Sequence, residues 1–475
     1  MAAPSTALLA TLAGRLGPKG VTTDPDDMAP WLGDWRGRWR GDAAAMLSPA
    51  NTDEVAFIVR HCAEAGVALV PQGGNTSMVG GATPDGSGAA LLLSLRRMNR
   101  IRAIDAEGNL AVAEAGVILA DLHAAALAEG RRFPLTLGAR GSATIGGLVS
   151  TNAGGTQVLR FGNMRRLVAG IEAVLPDGTV FDGLAALKKD NRGYDLTQLL
   201  IGAEGTLGVV TAASLRLAPA IGARAVAWVG LASPDAALRL LRHVERALGE
   251  AVESFELVPA RALDLVLAHV PDTRAPLAGG HGWHVLIEAV AQDAVPPALE
   301  PALEAALAEA LIEDAALAAS EAQAEAFWRL RDSISEAEKK DGPAVKHDIS
   351  VAVADMPRFL VEDGGAVEAR FPGTSLIAFG HLGDGNIHFN VRAPDGAGGG
   401  WIEGEGQAVT RFVHDRVTAA GGSISAEHGI GQMKREELAR LGGAARLGAL
   451  RAIKRALDPK GIMNPGKLVP PLDAP

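Results

Sequence analysis

Three segments in the first 211 residues constrain the fold more than anything else in the chain: "PQGGNTSMVGG" (71–81), "GARGSATIGGLVSTNAGG" (138–155) and "GAEGTLGVVT" (202–211). Glycine adopts positive φ without a Cβ penalty and lets backbone approach a ligand closely. Successive N–H groups in such loops form anion-binding concavities, and the Ser, Thr and Asn of the first two segments add donors. Three such segments in one stretch point to a bulky, phosphate-bearing ligand rather than to unrelated turns. No G-x-G-x-x-G opens a helix within a βαβ unit and no G-x-x-x-x-G-K-[ST] occurs, so a Rossmann domain and a P-loop are disfavoured.

The chain around these loops reads as folded and multi-domain. Its 475 residues exceed one ordinary core, and 48% hydrophobic with 21% charged residues is a globular composition. A net charge of −10 disfavours a general nucleic-acid partner, because phosphate binding needs concentrated Lys and Arg. The single cysteine, Cys62, forbids an intrachain disulfide and a cysteine-ligated iron–sulfur cluster. "MAAPSTALLATLAGRLG" has no basic residue before its apolar stretch, so a short amphipathic helix is expected rather than a signal peptide. No uncharged apolar run reaches membrane-spanning length. These features lead us to expect a cytoplasmic protein.

From residue 48 the pattern alternates helix and strand. Asn51 or Thr52 caps a helix whose apolar positions are Val55, Ile58, Val59 and Cys62, with Gly66 as the stop. A short strand over 67–70 leads into the first glycine segment. "ALLLSL" and "NLAVAEAG" read as strands, Leu119–Glu129 as a helix, and "IEAVLPDGTVFDG" as a hairpin turning at Pro176-Asp177-Gly178. Past 218, Ser233-Pro234 opens an amphipathic helix, "SFELV" and "WHVLIEAV" read as strands, and an Ala/Glu-rich tract over 296–340 is expected to be one long helical stretch. The class is α+β, with a middle domain inserted between two parts of a first one: 1–218, 219–420 and 421–475.

A second group of residues carries chemistry. In "GHLGDGNIHFN" (380–390), His381 and His388 flank Gly383-Asp384-Gly385. A straight strand would send residues seven apart to opposite faces. A turn at the glycines instead folds "AFGH" against "NIHFN", so the two imidazoles converge at one end of a hairpin. Converging imidazoles suit a transition metal such as zinc. "SAEHGIG" supplies a third-ligand candidate in the adjacent Glu427 and His428. Between 327 and 350 lie Arg329, Arg331, Lys339, Lys340 and Lys346, cations able to meet a carboxylate, with Arg331 and Ser335 four apart on one expected helix face.

In order and wording the three glycine segments resemble the FAD-binding signatures of vanillyl-alcohol-oxidase/p-cresol-methylhydroxylase-type flavoproteins. The resemblance implies a two-part FAD-binding domain with an inserted α+β substrate (cap) domain. It assigns Gly73, Gly74, Asn75, Thr76, Ser77, Gly80 and Gly81 to the pyrophosphate. Ser142, Thr144, Gly146, Gly147, Asn152, Gly154, Gly155, Glu204, Gly205 and Gly208 are assigned to the flavin. No His or Cys lies within 71–81, so a non-covalent cofactor is expected.

"GHLGDGNIHFN" and "SAEHGIG" resemble motifs of the D-2-hydroxyacid dehydrogenases, most closely those acting on D-2-hydroxyglutarate, within that superfamily. This implies a divalent metal, zinc, held by His381, His388 and Glu427, with His428 as base. It also implies substrate contacts at Arg331, Ser335 and Lys346, where Ser335 stands in place of the family's threonine. Asn390 is a further contact candidate. The reaction implied removes the hydroxyl proton and passes a hydride from C2 to flavin N5, giving the 2-oxo acid.

D-2-hydroxyglutarate is expected ahead of D-malate and D-lactate, and the basic cluster is the reason to expect a dicarboxylate. A D-lactate or glycolate dehydrogenase or oxidase of the same superfamily is the near alternative. A zinc hydrolase using the same three ligands would leave the glycine segments unexplained. Electrons must leave for an external acceptor, an electron-transfer flavoprotein or a quinone, and the resemblance leaves a homodimer open.

Overall fold

The computed structural model describes residues 2–471. Two units divide the chain: Met1–Gly155, Gly162–Ala220 and Glu427–Pro475 form the first, Thr156–Phe161 and Ile221–Ala426 the second. The expected boundaries after 218 and 420 lie two and six residues from these, and residues 156–161 join the second unit. The first unit is therefore assembled from three segments, and the second from the long insertion over 221–426 together with residues 156–161.

In the first unit, Val21–Thr22 (β1), Ala45–Leu47 (β2), Leu69–Gln72 (β3) and Leu91–Ser94 (β4) make a sheet of order β1-β2-β4-β3, with β2 and β3 both parallel to β4. Thr52–Ala65 (α1) covers it. Asn51 caps this helix by accepting the Glu54 N–H, and Gly66 ends it in left-handed backbone. Its buried face is Val55, Ile58, Val59 and Cys62, as the spacing predicts. Strand β3 begins two residues later than expected, so its last two residues, Pro71 and Gln72, are the first two of the first glycine segment.

Ile101–Asp105 (β5), Leu110–Glu114 (β6), Val168–Val174 (β7), Val180–Gly183 (β8) and Val209–Arg216 (β9) form a five-stranded antiparallel sheet of order β5-β6-β9-β7-β8. The β7–β8 turn runs through Pro176-Asp177-Gly178, with the Gly178 N–H donating to Leu175 O at 2.8 Å. Helix Ile145–Thr151 (α2) packs on β9.

The second unit is a seven-stranded sheet with helices on both faces. In chain order its elements are Ala223–Leu231 (β10), Pro234–Leu248 (α3), Val252–Pro259 (β11), Ala260–His269 (α4), Trp283–Ala291 (β12), Leu299–Ala308 (α5) and Asp314–Leu317 (β13). Glu321–Asp332 (α6), Ile334–Lys340 (α7), Ala344–Ser350 (β14), Ser375–His381 (β15), Asn386–Arg392 (β16) and Glu405–Ala419 (α8) follow. The strand order is β13-β10-β12-β11-β15-β16-β14, and every pairing is antiparallel.

The tract over 296–340 is not one helical stretch. Edge strand β13 interrupts it, pairing with β10 from Ala227↔Leu317 to Gly230↔Asp314. Ser320 then opens α6 by accepting the Gln323 N–H, while Gln323 Oε1 accepts the Ala319 N–H, a reciprocal cap that starts a new helix. Alanine, the strongest helix former and a poor strand former, hid the strand.

Side-chain alternation divides the sheet. Phe255, Leu257, Val285, Ile287, Val345, Ile349, Ile387, Phe389 and Val391 point to one face and form the core with α3, α5 and α8. Trp228, Leu286, Val258, Ile377 and Phe379 point to the other, beneath α4, α6 and α7. Strand parity places Glu256, His381, His388, Asn390, Lys346 and Asp348 on this second face.

Candidate functional site

In the first unit the three glycine segments come together around one cavity. Its lining includes Gly73, Ser77 and Gly81 of the first segment, Gly146, Gly147, Ser150 and Thr151 of the second, Glu204 and Gly205 of the third, and His428. The first two segments interlock: a Cβ on Gly74 would lie 1.8 Å from Ser142 O, so only glycine permits that approach. Asn75 is in left-handed backbone at φ 55° and its amide donates to Gly33 O at 2.9 Å. Ser77 Oγ accepts the Gly81 N–H at 3.1 Å, closing the loop on itself. Asn152 caps α2 in left-handed backbone, and its Oδ1 accepts the Arg165 N–H.

Gly74, Asn75, Thr76, Gly80, Ser142, Thr144, Asn152, Gly154, Gly155 and Gly208 do not line this cavity. Thr144 Oγ1 and Gln72 Oε1 are nonetheless buried without a hydrogen-bond partner among the described residues. Buried polar atoms are rarely left so unless a ligand or water completes them.

Glu204, expected at the flavin, has both oxygens engaged. They accept the N–H groups of Ile430 (2.8 Å) and Gly431 (2.7 Å), the residues just after His428. Burial pushes this carboxyl upward, and the two amides and then Lys434 oppose that. Asn464 ties the Glu204 carbonyl (2.7 Å) to that of Gly81 (2.9 Å). The turn carrying His428 is thus held from both sides. Sequence reading missed Gln72, Ser150 and Thr151 as polar lining, although all three stand within the quoted segments.

In the second unit the hairpin forms at the glycines. His381 O accepts the Gly385 N–H, and Asp384 Oδ1 accepts the Asn386 N–H at 2.9 Å. Gly385 sits at φ 80°, where a Cβ would lie 2.1 Å from Val351 O. Register pairs His381 with Asn386 and Phe379 with His388, so the two histidines are diagonal neighbours on one face. Their ring centroids are 5.6 Å apart in an edge-on arrangement.

One carboxylate with no local sequence signature organises this face. Glu256, 1% exposed on β11, accepts from His381 Nδ1 at 2.6 Å and from Arg331 Nε at 2.8 Å. Burial opposes its ionisation, but the Arg331 charge and then His381 outweigh it and hold the carboxyl at about 2. With Nδ1 turned to Glu256, His381 presents its Nε2 edge, 3.4 Å from an Arg331 terminal nitrogen.

Farther along the face Glu338, buried on α7, accepts from Lys346 Nζ (2.7 Å) and Asn390 Nδ2 (2.9 Å). Lys346 and Asn390 are direct register partners on β14 and β16. Arg331 and Ser335 do not share one helix, because Ser333 separates α6 from α7, and Ser335 is exposed. The Ala426 N–H donates to Asp348 O, and Asp348 is the register partner of His388. Glu427 follows one peptide later.

Two family models match the chain: "FAD linked oxidases, C-terminal domain" over residues 222–468 and "FAD binding domain" over 43–183. The mitochondrial D-2-hydroxyglutarate dehydrogenase of Bos taurus is 39% identical over 464 residues, covering 96% of this chain and 82% of that protein. The D-2-hydroxyglutarate dehydrogenase of Xanthomonas citri pv. viticola is 37% identical over 454 residues, covering 95% of each. Among solved structures, 4-ethylphenol oxidase from Gulosibacter chungangensis superposes with a TM-score of 0.72 at 19% identity, covering 98% of both chains, a likeness of fold.

Proposed function

This chain belongs to the FAD linked oxidases and is an FAD-dependent dehydrogenase of a hydroxy acid, and from that premise we propose that it oxidises D-2-hydroxyglutarate, with D-malate as a lesser substrate, using a bound divalent metal, zinc. The observation that carries this reading is the polar face of the second unit's sheet. Two diagonal imidazoles stand there with Arg331 tied to one of them through Glu256, and Lys346 lies along the same face.

The residues fit both groups. The unpartnered Thr144 Oγ1 and Gln72 Oε1 and the close-set glycines suit non-covalent FAD in the first unit. When bound, FAD supplies a hydride acceptor at N5. Two imidazoles and a carboxylate, His381, His388 and Glu427, are the donor types of a zinc site that leaves a position for substrate. The metal would polarise the substrate hydroxyl and lower its pKa.

The chain's own groups do the rest. His428 accepts the hydroxyl proton, a role suited to an imidazole whose pKa lies near the working pH. Arg331 binds the C1 carboxylate, and Lys346 and Asn390 meet the far end of the substrate, with Ser335 contributing a hydroxyl. The electrons leave to an electron-transfer flavoprotein or a quinone, in the cytoplasm. Among the described residues no helix is long and apolar enough to cross a membrane.

The test is a dye-linked assay of the purified enzyme with D-2-hydroxyglutarate, its L enantiomer, D-malate, D-lactate and glycolate, before and after chelation. The expected result is highest kcat/KM on D-2-hydroxyglutarate, no turnover of the L form, loss on chelation and recovery with zinc. Equal rates on D-lactate, or indifference to chelation with no metal in the protein, would overturn the substrate or the metal assignment respectively.

A further inference from the structure

The buried carboxylate of Glu338 stands where the proposed substrate's second carboxylate would seek its cation. Glu338 is 4% exposed, and its oxygens take Lys346 Nζ at 2.7 Å and Asn390 Nδ2 at 2.9 Å. Both partners sit on the polar face of the sheet, across one register pair, two residues along β16 from His388 and two along β14 from Asp348. The helix that carries Glu338 is fixed by Ile334 and Ala337, which are buried in the apolar cluster beneath the sheet. The packing of α7 therefore fixes the backbone from which this carboxylate reaches its partners.

We infer that Glu338 is a specificity-determining residue that offsets the Lys346 charge and so restrains the preference of this site for dicarboxylates. A substrate carboxylate arriving at Lys346 meets a paired ammonium with a second anion a few ångströms behind it. The attraction of the cation is then reduced, though not abolished, by like-charge repulsion in a poorly solvated setting. A substrate whose far end is uncharged meets no such opposition, because Lys346 and Asn390 still offer donors. Selectivity between two acids is a difference of two affinities, and a fixed repulsive charge moves only one of them. The inference rests on the reading above that Lys346 faces the far end of the substrate.

Glu338→Gln tests it, since the amide keeps the shape and an acceptor for Asn390 while removing the charge. With holoenzyme, KM for D-2-hydroxyglutarate should fall about tenfold or more while KM for D-lactate stays within about twofold, from the removal of one nearby like charge. Adding Lys346→Met to the same chain should abolish that gain, the mark of a coupled pair. Glu338→Met, similar in volume, carries the same expectation should the Gln variant not fold. Equal shifts for both acids, or a rise in KM confined to the dicarboxylate, would overturn the inference, the latter by showing that Glu338 only positions Lys346. Titrating the flavin spectrum with glutarate and with butyrate gives the same ratio without turnover. An inactive wild-type enzyme would sink the substrate reading, while the glutarate-to-butyrate ratio would still decide the role of Glu338.

Discussion

Replacing His428 by alanine is expected to lower kcat by about 10²–10⁴-fold, the usual contribution of a positioned general base. KM, flavin content and metal content should hardly change. His428 lines the cavity of the glycine segments, and in the turn that follows it the backbone amides of Ile430 and Gly431 are held by Glu204. Truncation at Cβ therefore removes the imidazole and leaves the loop in place. The check is steady-state kinetics beside an absorbance ratio for bound flavin. A variant with full kcat would remove His428 from the chemistry. A variant that loses its flavin would make the residue structural.

Glu256→Ala should be the most damaging change outside the glycine segments. It removes the carboxylate 2.8 Å from the mostly buried Arg331 guanidinium, leaving Asp332 Oδ1 at 3.8 Å. Breaking a buried ion pair from one side costs about 3–5 kcal/mol. It also releases His381 Nδ1, and loss of such an orienting partner weakens metal binding by about 10–100-fold. Glu256→Gln keeps the volume, so it should recover most of the stability but little of the metal affinity. Thermal unfolding of the metal-free protein and zinc competition against a chelator measure the two effects separately. Wild-type values in both would mean that Glu256 merely fills space.

What was legible in the sequence follows from how local the physics is. Gly383-Asp384-Gly385 between two apolar strands fixes a turn, and the turn alone makes His381 and His388 neighbours. The caps of α1 at Asn51 and Gly66 are equally local. Glu256 was invisible because it meets His381 across 125 residues, through a strand pairing that no local pattern announces. Glu338 looked like one more glutamate on a solvated helix face. Only the fold shows that α7 turns it inward onto Lys346 and Asn390. Glu204 shows the same limit, since its motif marks a loop beside the cavity while its clamp on residues 430 and 431 is a contact 226 residues away. The helical reading of 296–340 failed for a different reason. Strand β13 is half alanine and is stabilised by pairing with β10, not by its own preference.

The central claim is that this chain reduces its own flavin with a D-2-hydroxy acid. The most direct measurement is the anaerobic visible spectrum of the purified holoenzyme before and after adding D-2-hydroxyglutarate. The account predicts a flavin band at roughly 450 nm that bleaches on mixing with the D form and persists with the L form. A band that neither enantiomer bleaches, in metal-replete protein, would contradict it.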